Sequence, residues 1–304
     1  MKGKIRLGID LGGTKTEIVA LSDDGRILLR ERTSTSRGDY KATLEGICQL
    51  VKAAEHQLGQ EGTVGVGIPG TVSARTGLVK NANSTWLIGQ PLQQDLSERL
   101  EREVRVRNDA DCFACSEAID GAGKGFNSVF GVILGTGVGA GVWVNQQLLP
   151  TPNGVAGEWG HNPLPWISDK EREAVGPCYC GKQGCAEQFL SGPGLSQMLF
   201  RANKRHLPTN ELAQHIGQDS DVTAVFDNYL EYLAKGLAQV INLLDPEVIV
   251  LGGGVSNIPQ IYDNLPDRLS AYVFGGECAT PVLKNVHGDS SGVRGAAWLW
   301  NDER

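Results

Sequence analysis

Residues 4–21 read KIRLGIDLGGTKTEIVAL and residues 128–144 read SVFGVILGTGVGAGVWV. Each stretch is an apolar run of strand character, a glycine-rich turn and a second such run. The same unit therefore occurs twice in a chain of 304 residues. Downstream of the first copy, Asp23-Asp24-Gly25 turns into a third strand, ILLRERTS. Asp39 is placed to cap a helix reaching about Leu58, with Leu44, Ile47, Leu50 and Val51 at helical spacing. TVGVGIPG (63–70) reads as a strand closed by a Pro-Gly turn, 71–94 as irregular, and VRVRND (104–109) as a short strand before a helix from Asp111. Beyond the second copy, 150–194 is an irregular insert rich in Pro, Gly and Cys, and 221–244 a long helix. PEVIVLGGGVS (246–256) is a buried strand entering a third glycine turn, and 290–300 a final helix.

Alternating strands and helices predict an α/β architecture. The repeated hairpin predicts two related lobes. The smaller spans 1–120, with the terminal helix 290–304 packed back on it; the larger spans 121–289 and carries the loop 157–187. Glycine, 40 of 304 residues, is roughly twice as common as the usual ~7%. There is no Gly-X-Y period, and a 40% hydrophobic, 21% charged composition excludes disorder. The glycines at 8–13, 65–70, 135–141, 181–194 and 252–254 are read as places where backbone approaches a ligand closely. A net charge of −7 disfavours nucleic acid and anionic membrane as partners. No apolar run nears the ~20 residues of a membrane helix, and the first residues lack a signal-peptide core. The expectation is a cytoplasmic protein with no membrane partner.

The first turn is Asp10-Leu11-Gly12-Gly13-Thr14-Lys15-Thr16. Without side chains at Gly12 and Gly13, backbone N–H groups can approach an anion; Thr14 and Thr16 add hydroxyls and Lys15 a positive charge. Asp10 is placed to hold Mg²⁺ or its water shell. Gly135-Thr136-Gly137-Val138-Gly139 repeats this logic. Gly252-Gly253-Gly254-Val255-Ser256 offers glycine backbone against which a flat ring can lie and is placed to open a helix, whereas the first two turns lead into strands. Any one of these alone is equally a plain hairpin turn; three together, two on matching hairpins, point to phosphate. Neither GxxxxGK[ST] nor a GxGxxG opening a helix is present.

Seven cysteines include a cluster, Cys178, Cys180 and Cys185, preceded by His161. Three thiolates and an imidazole make a closed tetrahedral set suited to structural Zn²⁺. With four protein ligands there is no open position for hydrolysis, so the ion would pin a loop. Glu158 and Glu187 flank the ligands and would be held facing the cleft. Cys112 and Cys115, at i and i+3 on a helix, read as apolar packing rather than a redox pair.

Asn108-Asp109 closes a strand, where active sites of α/β sheets lie. Asp109 there can accept a proton from a substrate hydroxyl during phosphoryl transfer, while Asn108 and Asn83 can bond polyol hydroxyls. Asp109 or Asp111 serving as a helix N-cap is the alternative, preferred for Asp111. Trp86 either shapes a pocket or packs in the core.

These pieces resemble the ROK family of bacterial sugar kinases, in the actin/hexokinase superfamily, essentially end to end. DLGGTKT (10–16) and GTGVGAG (135–141) look like its phosphate motifs, and VLGGGVS (250–256) its adenosine motif. GEWGH (157–161) with CYCGKQGCAE (178–187) looks like its zinc signature. Within the family, KNANSTWLIGQP (80–91), GEWGHNPLPW (157–166) and HGDSSGVRGAAWLW (287–300) look most like fructokinases. The resemblance implies a ribonuclease H-like two-lobed fold with the active site in a cleft between lobes. It implies Asp109 as base, ATP at Asp10, Gly12–Thr16, Thr136, Gly137, Gly253 and Gly254, and sugar at Gly70, Asn83, Asn108, Asp109, Glu158, His161 and Glu187. It further implies Mg²⁺, structural Zn²⁺ on His161, Cys178, Cys180 and Cys185, and a homodimer. The expected activity is phosphorylation of the 6-hydroxyl of fructose, with mannose as a further substrate; N-acetylglucosamine and glucose are the alternatives. Ala186 departs from the larger aliphatic residue common in the family, a change expected to affect packing only. The family also contains sugar-responsive repressors, disfavoured here because the first phosphate strand begins by Lys4 and the charge is negative.

Overall fold

The structure, a computed structural model, describes residues 4–301. In chain order its regular elements are β1 (Arg6–Leu11), β2 (Lys15–Leu21), β3 (Ile27–Ser34), α1 (Tyr40–Leu58), β4 (Thr63–Ile68), β5 (Thr71–Val72), β6 (Val79–Lys80), α2 (Leu92–Arg99), β7 (Val104–Asn108) and α3 (Asp109–Ile119). There follow β8 (Ser128–Leu134), β9 (Val138–Val144), β10 (Gln147–Leu148), α4 (Asp169–Val175), α5 (Glu187–Leu190), α6 (Gly192–Asn203), α7 (Thr209–His215), α8 (Ser220–Leu244), β11 (Val248–Gly252), α9 (Gln260–Leu269), β12 (Val282–Lys284) and α10 (Ser291–Trp298). Two compact units emerge. One comprises the described residues of Met1–Gly125, Gly141–Ala156 and Asp289–Arg304, the other Phe126–Ala140 and Gly157–Gly288.

The first unit is built on a sheet of order β3-β2-β1-β4-β7, antiparallel from β3 to β1 and parallel from β1 to β7. Its strands alternate Leu7, Ile9, Val64, Val66 and Val106 into the core. As the spacing predicts, Asp39 caps α1, accepting from the Ala42 N–H at 3.0 Å, and Gly59 ends it at φ +62°. Glu17 is a buried carboxylate held by Arg30 Nε at 2.6 Å and Arg32 Nε at 2.7 Å from the neighbouring strand. The edge strand β7 is shielded by α2, whose Gln93 and Ser97 side chains accept from the N–H groups of Val106 and Val104.

Three readings change. Residues 71–94 are not irregular throughout: they contain β5, β6, a 3₁₀ turn at Thr85–Leu87 and the start of α2. Helix α3 begins at Asp109, and its cap is Asn108, whose Oδ1 accepts from Ala110 N at 2.8 Å; neither Asp109 nor Asp111 is the N-cap. Finally, Gly8, Gly65 and Gly295 serve helix packing rather than a ligand. A methyl group on Gly65 would lie 1.9 Å from Ala296 O, on Gly8 2.1 Å from Val293 O, and on Gly295 1.6 Å from Cys112 O. Helix α10 thus lies with its backbone against β1, β4 and α3, a separation only glycine permits. Arg294 fastens it, pairing with Asp120 and donating to Gly25 O at 2.9 Å. Trp298 Nε1 donates to Asp120 Oδ2 at 2.9 Å and Trp300 Nε1 to Val64 O at 2.8 Å. Cys112 and Cys115 are buried packing residues on α3, and Trp86 packs on the core while donating to Thr43 Oγ1 at 3.2 Å.

The second sheet has the order β10-β9-β8-β11-β12, with β8, β11 and β12 parallel. In the second unit α8 starts at Asp219, which accepts from Asp221 N at 3.0 Å and Val222 N at 3.2 Å. It buries Leu230, Leu233, Leu237 and Ile241 along one stripe. The insert 150–194 is more ordered than its composition suggests: Ser168 and Glu171 form a capping box on α4, and α5 follows Cys185. Among the described residues no helix is long and apolar enough to cross a membrane.

Candidate functional site

Parallel pairing of β1, β4 and β7 brings their C-terminal ends to one edge of the sheet, with Asp10 opposite Gly67 and Ile68 opposite Asn108. Two strand spacings of ~4.8 Å separate the strands of Asp10 and Asn108 by about 10 Å. Asn108 uses both ends of its amide: Oδ1 caps α3, and Nδ2 donates to Gly70 O at 3.1 Å. This fixes the backbone from which Asp109 opens the helix. Gly70 itself packs on the β6 end, where a methyl group would lie 2.7 Å from Ala82 Cβ. Asn83 is exposed, with its N–H tied to Pro69 O at 3.0 Å.

Burial, reinforced by the negative charges of Asp109 and Glu17 and opposed by Arg32, pushes Asp10 up to about 6. Such a carboxylate is suited to a cation beside it, and Asp10 fits the Mg²⁺ role. At the adjoining turn, Gly12 N donates to Lys15 O at 3.0 Å. Gly13, Thr14 and Lys15 form its exposed tip. Thr16 is buried, and its hydroxyl is bonded to Thr35 Oγ1 at 2.8 Å. Thr35 also donates its hydroxyl to Gly12 O at 2.9 Å and its N–H to Thr14 O at 3.0 Å. Sequence reasoning missed this brace, because Thr35 follows β3 and meets the turn only through sheet pairing.

In the second unit, Gly135 N donates to Gly137 O at 3.0 Å, leaving Thr136 exposed at the tip. Glu187 Oε2 accepts from Val138 N at 2.9 Å, and a methyl group on Gly137 would lie 2.7 Å from that oxygen. The third turn rests on the second. Gly253 adopts φ +81°, and a methyl group there would lie 2.5 Å from Leu134 O. What Gly254 opens is a single 3₁₀ turn, Gly254–Asn257.

His161 ends a 3₁₀ turn, Glu158–His161, and reaches the cysteine loop. The ligand atoms of His161, Cys178, Cys180 and Cys185 all lie within 4.8 Å of one another. Cys180 and Cys185 sulfurs are 3.5 Å apart, and Cys178 Sγ lies 3.7 Å from His161 Nδ1. A tetrahedral zinc with Zn–S ~2.3 Å has edges of about 3.8 Å, so this donor set fits that ion. The Lys182 backbone N–H pulls the Cys180 thiol down, and Gly181 and Gly184 take φ +85° and +75° where the loop wraps. Gln188 Oε1 accepts from Gly184 N at 3.0 Å and Cys185 N at 3.2 Å, a support with no sequence signal. Ala186 is buried beside it.

With Nδ1 turned to the cysteines, His161 Nε2 meets the Tyr179 hydroxyl at 2.8 Å, the rings edge-on with centroids 5.0 Å apart. Desolvation and the carboxylates of Glu187 and Glu158 push the Tyr179 phenol up to about 12, so Tyr179 shares the neighbourhood of both glutamates. Thus one unit gathers Asp10, Gly12–Lys15, Gly70, Asn83, Asn108 and Asp109. The other gathers Thr136, Gly137, Gly253, Gly254, Glu158, His161, Glu187 and the cysteines.

This α/β fold, with its paired glycine turns, places the protein in the class of actin/hexokinase-like sugar kinases. Similarity to known proteins narrows the class. A profile of the ROK family matches residues 6–303, and the chain belongs to that family. It is 39% identical over 297 residues to the N-acetyl-D-glucosamine kinase of Yersinia pseudotuberculosis serotype IB (strain PB1/+), spanning 96% of this chain and 97% of that protein. Its fold matches the ROK hexokinase from Thermus thermophilus with a TM-score of 0.86 at 29% identity, covering 98% of each chain. A ROK family glucokinase from Streptomyces griseus, solved in complex with glucose and AMPPNP, matches with a TM-score of 0.76 at 27% identity, covering 98% of this chain and 99% of that one.

Proposed function

We propose that the protein transfers the terminal phosphoryl group of ATP to the 6-hydroxyl of a hexose, with N-acetylglucosamine as the acceptor. The observation that carries the reaction is the edge formed by β1 and β7, where Asp10 and Asp109 lie close enough for their charges to interact. Asp109 takes the proton of the acceptor hydroxyl as it attacks. Asn108 and Asn83 offer side-chain amides to sugar hydroxyls, Glu158 and Glu187 carboxylates, and His161 an imidazole. The exposed backbone of Gly13 and of the Thr136–Gly137 tip, with the side chains of Thr14, Lys15 and Thr136, holds the phosphates, and Gly253–Gly254 carries the adenosine. Asp10 would hold Mg²⁺, which would neutralise phosphate charge when bound. His161, Cys178, Cys180 and Cys185 would hold Zn²⁺, which would fix the geometry of the loop bearing Glu187.

The relatives named above support N-acetylglucosamine better than the fructose expected from the sequence. Fructose is kept as a second reading by the stretches 80–91, 157–166 and 287–300. A coupled ADP-release assay on N-acetylglucosamine, fructose, mannose, glucose and N-acetylmannosamine tests both. N-acetylglucosamine giving the highest kcat/KM supports the first reading; fructose giving the highest replaces it. A homodimer and a cytoplasmic location belong to the same reading, and sedimentation of the purified protein checks the dimer.

A further inference from the structure

Ser84 lies between the β5–β6 hairpin and the 3₁₀ turn Thr85–Leu87. It is 2% exposed, and its Oγ has no hydrogen-bond partner among the described residues. Buried hydroxyls in folded proteins are nearly always bonded, so an orphan marks a group awaiting a partner. Nor does the hydroxyl hold its own loop in place. The loop is fixed by backbone: Asn83 N donates to Pro69 O at 3.0 Å and Leu87 N to Ser84 O at 3.0 Å, with Ala82 packed on Gly70. The Ser84 side chain makes no capping bond to the turn that follows it.

The direction of the hydroxyl is set by the first glycine turn. A methyl group built on Gly13 would lie 3.7 Å from Ser84 Oγ. The hydroxyl therefore faces the side of Gly13 where a side chain is missing, at an exposed turn braced by Thr35, just after β3. A backbone bared on one side and an unpartnered donor opposite it make a cradle for an acceptor-rich group.

We propose that Ser84 Oγ donates a hydrogen bond to an oxygen of the terminal phosphate of a nucleoside triphosphate lying against Gly12–Gly13. This rests on reading that turn as a phosphate site. Ser84 would be a positioning group for the phosphoryl donor, and the orphaned hydroxyl is then satisfied only in the triphosphate complex.

The test compares wild type, Ser84→Ala and Ser84→Cys by calorimetric titration with Mg-AMPPNP and with Mg-ADP, alongside Tm and steady-state kinetics. Ser84→Ala should keep or raise the Tm of the free protein, because it removes a buried unbonded hydroxyl. It should weaken AMPPNP roughly tenfold, as expected for a hydrogen bond to a charged acceptor, while ADP and hexose affinity stay within about twofold. Ser84→Cys, close in size but a weak donor, should follow Ala and serves as the readout if Ala disturbs folding. Equal AMPPNP affinity in all three proteins, or a loss confined to the hexose KM, overturns the proposal. A wild type that binds no nucleotide at either phosphate state overturns the phosphate-site reading itself.

Discussion

Glu187 accepts the backbone N–H of Val138 at 2.9 Å, so the first residue of α5, two positions after Cys185, also stiffens the second glycine turn. A side chain expected at the sugar is thereby joined to a turn expected at the phosphates. Replacing it separates the two duties. Glu187→Ala removes both and should raise KM for ATP and for hexose by roughly tenfold or more, while Glu187→Gln keeps an acceptor for Val138 and should raise the hexose KM alone. If Glu187→Ala shifts only the hexose KM, the bond to Val138 is of no consequence for nucleotide binding.

Asp109 opens α3 from a backbone pinned by Asn108. Asp109→Asn preserves shape and removes the base. The expected loss is ~10²–10⁴-fold in kcat, with the KM values changed only a few-fold and an unaltered circular dichroism spectrum. A folded Asp109→Asn protein turning over at near wild-type rate excludes Asp109 as the base.

The metal set predicts a joint loss. Cys180→Ser should lower bound zinc, measured by mass spectrometry of metals, and with it the Tm and the activity, because the loop carrying Glu187 loses its anchor. A strong chelator should do the same to wild type and nothing further to the variant. Full activity in a zinc-free variant would show that the hydrogen bonds of Gln188 hold the loop unaided.

Asp10 predicts a pH effect with a definite sign. Its carboxyl is raised from 3.8 to about 6 by burial and by Asp109 and Glu17, so the folded protein retains a proton that the unfolded chain releases. The associated stability is present below pH ~4 and is lost as pH rises to about 6, amounting to at most about 3 kcal/mol. Without Mg²⁺, Asp10→Asn should abolish this decline and raise Tm at pH 7–8, while weakening Mg-nucleotide binding. In wild type, Mg-nucleotide affinity should fall below pH 6 as protons compete for the carboxylate. An unchanged dependence of Tm on pH between 4 and 6 in Asp10→Asn would assign the effect to another group.

Much of the site was legible because its signals are local. The hairpins at 4–21 and 128–144 show as apolar runs around glycine, Asp39 as a cap before a 3.6-residue period, and His161 with three cysteines as a donor set. Other residues were read in the right place with the wrong partner. Thr16 looked like a phosphate donor, but it is buried and its hydroxyl is engaged by Thr35. Gly8 and Gly65 looked like ligand contacts, but they lie under α10.

The sequence by itself determined the kind of elements, the three glycine turns, a candidate set of metal donors and the family, since turn chemistry, periodicity and ligand spacing are carried by neighbours along the chain. Only the tertiary structure decided that Asn108 rather than Asp109 or Asp111 caps α3, that Tyr179 closes on His161, that Glu187 reaches Val138, and that Ser84 faces Gly13 with its hydroxyl unbonded. Each depends on which strand lies beside which, or on a loop folding back over tens of residues. Such contacts are selected by the packing of the whole unit, so no local pattern announces them.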